Sequence, residues 1–158
     1  MTVLVVWLHL LAAVGWIGGM VFLSLVLVPA LKRESALSQR ATLFRAIAVR
    51  FRAVVWCSVA VLVVTGPMLL AHRGLSLLEP SRWPSALTAK LVLVLTLLAL
   101  TGAHDFVVGP RVSRIQHQPE SDRIGIDRLL VAWSPWLARL SLVLALAVLL
   151  LAVALVRP

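Results

Sequence analysis

Charge is scarce in this chain of 158 residues. Only 13% of the residues are Asp, Glu, Lys or Arg, and just six are acidic. A soluble domain of this length needs far more polar surface, so a soluble globular fold is excluded. Cysteine is nearly absent. Cys57 stands alone in an apolar run, which excludes an intrachain disulfide and any cysteine-rich metal site. There is no convincing internal repeat and no low-complexity segment beyond the leucine-valine runs. The first apolar segment has no basic stretch before it and no small-x-small cleavage site after it. It reads as a membrane helix and not as a signal peptide.

What is present is hydrophobic sequence. Apolar residues make up 61% of the chain, and the mean hydropathy is +1.03. Four apolar runs of about 20 residues or more stand out, the length that crosses a bilayer as a helix. The expected fold is all-α, an integral membrane four-helix bundle. One membrane domain covers residues 1–158, with helices over about residues 3–30, 49–71, 85–108 and 129–156. Pro29 with Lys32, Arg33 and Glu34 is expected to end the first helix. Residues 35–51 form a basic, amphipathic connection. Pro67 is expected to kink the second helix, and Gly109-Pro110 to stop the third.

The net charge of +9 would point to nucleic acid in a soluble protein. Here it is a matter of loops. Lys32, Arg33, Arg40, Arg45, Arg50 and Arg52 lie between the first two helices. Arg111, Arg114, Arg123 and Arg128 lie between the last two. Only Arg73, Arg82 and Arg157 fall on the opposite side. Under the positive-inside rule, both termini face outward and the loops meet the cytoplasm and anionic lipid. The expected location is the bacterial inner membrane, multi-pass. The partner is the lipid bilayer, with no nucleic acid, and the glycine faces point to a homodimer.

The polar residues inside these runs are the candidate site. His9 lies about six residues into the first helix and Lys90 about six into the third, so both sit roughly 9 Å deep. Ionisable side chains in hydrocarbon are expensive and tend to be functional. His72 and Arg73 close the second helix at the same side, and Met68 is one turn before His72. His104 is roughly 30 Å down the third helix, at a separate inner level with Asp105. His9 and His104 therefore cannot ligate one iron from opposite faces. Each has a plainer role open to it. His9 can donate to a backbone carbonyl, Lys90 can snorkel to the headgroups, and His72 or His104 can be simple interfacial residues. Trp16 follows His9 by seven residues, on the same line as Ala13 and Met20, with Gly15 and Gly19 beside it. That small-xxx-small spacing lets helices approach closely.

The segment WLHLLAAVGWIGGM, with His9, then Trp16, then glycines, resembles the copper-resistance D family. It is also similar to the related J-type protoporphyrinogen oxidases, four-helix bacterial membrane proteins that bind b-type haem. Pro29, Arg50 and Arg52 before the second helix, Gly66 late in it, Ala89-Lys90-Leu91, Ser134-Pro135 and Arg157-Pro158 extend the resemblance to all four helices. It implies His9 as haem or metal ligand and Lys90 as its partner. The chain departs from the J-type oxidases in having Ser134 where they have an acidic residue, in the wider spacing of His104 from Lys90, and in having no tyrosine. The broader copper-resistance D group fits better.

Three functions follow as expectations. The first is a haem b membrane protein in electron transfer or redox chemistry in the outer half of the bilayer, with an oxidoreductase of the protoporphyrinogen oxidase type as its enzymatic form. His9 would ligate the iron, Trp16 would wall the cofactor, and His72, Lys90 or Met68 would supply a second ligand. Lys90 and Arg73 would neutralise the propionates, and a redox partner is implied. The second is a copper-binding or copper-transport protein using His9, Met68 and His72, a set that suits Cu(I). His104 would be a further metal ligand in a separate inner site. The third is a non-catalytic subunit of a larger membrane complex.

Overall fold

Apolar side chains at nearly every position leave the backbone one way to satisfy its polar groups in lipid, which is to bond within helices. The computed structural model describes residues 2–32, 37–76, 78–116 and 125–155. Over these it is helical apart from the turn after His72, with no strand among the described residues. Six α-helices are present among the described residues. They are α1 (Thr2–Phe22), α2 (Val28–Lys32), α3 (Leu37–His72), α4 (Ser85–Ala103), α5 (Gly109–Gln116) and α6 (Gly125–Ala154). A π turn at Leu23–Leu27 joins α1 to α2, and another at His104–Val108 joins α4 to α5. Four stretches are long and apolar enough to cross a membrane: Val3–Leu31, Thr42–His72, Ser85–Ile115 and Gly125–Ala154.

The first helix passes Pro29 and is helical to Lys32, two residues beyond its expected end near residue 30 and at the first of the charges expected to close it. Gly109-Pro110 does not stop the third, which continues through α5. In both cases a π turn precedes the proline. A proline lacks an N–H, and its ring crowds the carbonyl four residues back. Those carbonyls belong to Leu25 and Phe106, each inside a π turn. The wider turn closes with bonds from Val28 N–H to Leu23 O and from Gly109 N–H to His104 O. The helix thereby passes the proline without ending. The amphipathic connection before the second helix is likewise helical and belongs to α3, at least from Leu37 onward.

The chain divides into two compact units, Met1–Pro84 and Ser85–Pro158. In the first, α1 packs on α3. Gly19 meets Phe51, Gly15 meets Ser58, and His9 meets Thr65 and Gly66, so the pair is antiparallel. A β-carbon at Gly19 would run into the Phe51 ring, and one at Gly15 would come within 3.3 Å of Ser58 Oγ. Ala12, Trp16, Val55, Val59 and Thr65 complete the buried seam. Past His72 the backbone turns through Gly74, at φ +71°, where a side chain would be disfavoured. Leu75 N–H bonds back to Leu70 O at 3.2 Å, and Trp83 Nε1–H to Ser76 O at 2.8 Å, which folds the turn onto itself.

In the second unit α4, the following π turn and α5 all pack on α6. Leu97, Ser141 and Ala145 are its buried positions along the α4 and α6 seam. The first helices of the two units correspond at a spacing of 81 residues. His9 corresponds to Lys90, and Trp16 to Leu97, the most buried residue on α1 and on α4 respectively. The π turns at Leu23 and His104, and the prolines Pro29 and Pro110, keep the same spacing. The sequence shows no repeat because apolar residues substitute freely in these positions. What recurs is the proline with its π turn and a basic side chain near the start.

Candidate functional site

His9 leans from α1 onto α3, where Thr65 receives it. His9 Nδ1 and Thr65 Oγ1 are 2.7 Å apart. The Thr65 hydroxyl donates its own proton to Val61 O, four residues back, at 2.7 Å. A hydroxyl has one proton to give. Thr65 Oγ1 therefore accepts from His9, Nδ1 carries the hydrogen, and Nε2 of the neutral ring carries the lone pair. That is the tautomer a metal-ligating histidine needs, held by a second side chain as such ligands usually are. Thr65 is 5% exposed, so the bond lies in the seam between α1 and α3. Gly66 backs the other edge of the ring. A β-carbon there would stand 3.9 Å from His9 Cε1, in ordinary contact.

Two turns further along α1, Trp16 is 4% exposed and its Nε1–H has no hydrogen-bond partner. A buried donor left unbonded typically costs about 1–3 kcal/mol. Trp16 sits on the same helical line as His9, between the glycines that let α3 approach.

The other site candidates are spread along the two units. His72, Arg73 and Met68 belong to the first unit with His9 and Thr65. His72 is exposed at the end of α3, and its Nδ1–H donates to Met68 O at 2.8 Å. Met68 is 40% exposed, and Arg73 is exposed in the turn that follows. Lys90 is half-buried on α4 in the second unit. His104 opens the π turn of that unit, with Nδ1 3.3 Å from Asp105 Oδ1. No group of three or more His, Cys, Asp or Glu side chains converges among the described residues. Within the first unit the structure thus joins His9 to Thr65 and stacks Trp16 below.

Thr65 is the residue that sequence reading overlooked. Its signal was available: Thr65 lies seven residues after Ser58, on one face of α3, opposite the glycines of α1.

Helices of this length and composition make the chain a multi-pass helical membrane protein. Residues 45–155 match the family model of copper resistance protein D, and this is well over half of the chain. The chain belongs to that family. The match includes Thr65, Met68, His72, Lys90 and His104, and begins after α1 and His9. Neither comparison with curated proteins nor comparison with solved structures returned a match.

Proposed function

We propose that this family member binds haem b through His9 and serves electron transfer or a redox reaction in the membrane. The observation that carries this reading is the bond between His9 Nδ1 and Thr65 Oγ1 at 2.7 Å. A haem needs one well-oriented imidazole, and the neutral tautomer with Nε2 as the basic nitrogen supplies it. One further feature suits the group: Gly66 leaves the Cε1 edge of the imidazole uncrowded, whereas Gly15, Gly19 and Trp16 are closed over by α3 and leave no room beside them for the macrocycle. When bound, the haem iron would supply one-electron chemistry, with potential set by its axial ligands and surroundings. Within the same unit, Arg73 would be the cation for a propionate, and His72 or Met68 the second ligand.

The charge bias of the loops supports an orientation with both termini outside the cytoplasm. His9 then lies in the outer half of a bacterial inner membrane. A redox partner and a homodimer belong to this reading, as does an oxidoreductase activity of the protoporphyrinogen oxidase type.

Copper is the second reading, favoured by the description of the family itself. His72 follows Met68 by one turn of α3, its Nδ1–H bonded to Met68 O, and both lie in the same unit as His9. Imidazole and thioether together suit Cu(I). One preparation separates the two. Protein expressed with supplemented haem is assayed for copper by metal analysis and for haem by pyridine haemochrome. Haem near one per chain without copper supports the first reading. Copper near one per chain without haem replaces it with the second.

A further inference from the structure

The sixteen residues from Leu140 to Leu155 on α6 contain no charge, and Ser141 is their one hydroxyl. At about 1.5 Å per residue they span roughly 24 Å, most of a hydrocarbon core of roughly 30 Å. Arg139 stands immediately before them. Its side chain points toward the helix N-terminus, as helical side chains do, and so away from the core. There its guanidinium lies over the Trp136 ring, 4.8 Å from the ring centre. One turn further back is Trp133. The two indoles are 60% and 63% exposed, too much for residues that pack a protein core. Amphipathic aromatic rings with this placement mark the level of the headgroups.

Contact with the ring consumes none of the five N–H donors in the guanidinium plane. Such a fork matches the oxygens of a phosphate. The surrounding charge selects the kind of phosphate. Arg128 is exposed on the same end of α6, against one carboxylate, Asp127. Two arginines, Arg128 and Arg139, against one carboxylate on this end of α6 favour a lipid with net negative charge over a zwitterionic one.

We propose that Trp133, Trp136 and Arg139 form a binding site for the phosphate of an anionic phospholipid headgroup. The acyl chains lie along the exposed apolar face that continues at Leu140 and Val143. Trp136 holds the guanidinium at the boundary, and Trp133 borders the glycerol region.

The test is native mass spectrometry of the purified full chain with phosphatidylglycerol or phosphatidylcholine of the same acyl chains. Phosphatidylglycerol should be retained about fivefold more tightly, the ratio expected for one arginine at a membrane surface. Arg139→Gln should remove that preference, Arg139→Lys should keep part of it, and Arg82→Gln at the other end of the membrane should keep all of it. Excess inorganic phosphate should not displace the lipid. Equal retention of the two lipids by the unmodified chain overturns the proposal without any variant. Unchanged preference in Arg139→Gln overturns the assignment to Arg139, and displacement by phosphate would show a site for free anions.

Discussion

His9 Nδ1 stands 2.7 Å from Thr65 Oγ1, and the hydroxyl proton of Thr65 is already given to Val61 O. This pair fixes which imidazole nitrogen carries hydrogen and holds the ring against α3. The first unit is organised around it, with the glycines of α1 setting the distance between the helices.

Removing the hydroxyl while keeping its shape isolates this bond. Thr65→Val should leave His9 Nδ1–H without its acceptor in a buried seam. The expected loss is about 1–3 kcal/mol, seen as a lower thermal midpoint in detergent. Thr65→Ser keeps the hydroxyl and should keep most of the stability. If haem is bound, Thr65→Val should also shift the absorption bands, which a purely packing role for Thr65 would not do.

Packing in the same seam gives a second expectation. At Gly19 a methyl group meets the Phe51 ring, whereas at Gly18 it meets open space. Gly19→Ala should destabilise by about 1–3 kcal/mol, as overpacking does. Gly18→Ala should be neutral or slightly stabilising. Phe51→Ala combined with Gly19→Ala should recover part of the loss, and thermal unfolding of the four proteins checks the coupling.

Trp16 supplies the third. Its buried N–H lacks a partner, so Trp16→Phe should leave the cofactor-free protein as stable as before or more so. Trp16→Ala removes the ring and should cost about 3–5 kcal/mol. A marked loss of stability in Trp16→Phe would mean that the indole N–H is bonded in the membrane-embedded protein.

The turn after α3 gives the fourth. Gly74 holds φ at +71°, in the left-handed region. Gly74→Ala should cost about 1–2 kcal/mol, read as a lower thermal midpoint with the spectrum unchanged.

Much of this was legible in the chain. Four apolar runs dictate four crossing helices, because lipid leaves the backbone no other partner. His9 and Trp16 share a line at helical spacing with Gly15 and Gly19 beside it, and these four do line the seam with α3. Two things were hidden. Gly109-Pro110 looks like a helix end in a one-dimensional reading, since only the three-dimensional turn can widen around a proline. The bond between His9 and Thr65 joins residues 56 positions apart, and spacing along one helix says nothing about the register against another. The correspondence of the two units was hidden for a related reason. It rests on turn geometry and burial, while the apolar side chains that fill matching positions differ freely.

The visible absorption spectrum of the purified protein, expressed with supplemented haem, tests the central claim most directly. A Soret band in the unmodified chain that is lost in His9→Ala and shifted in Thr65→Val is the predicted result. A protein that folds, purifies and shows no such band, or a band that His9→Ala leaves unchanged, contradicts the assignment of His9 as a haem ligand.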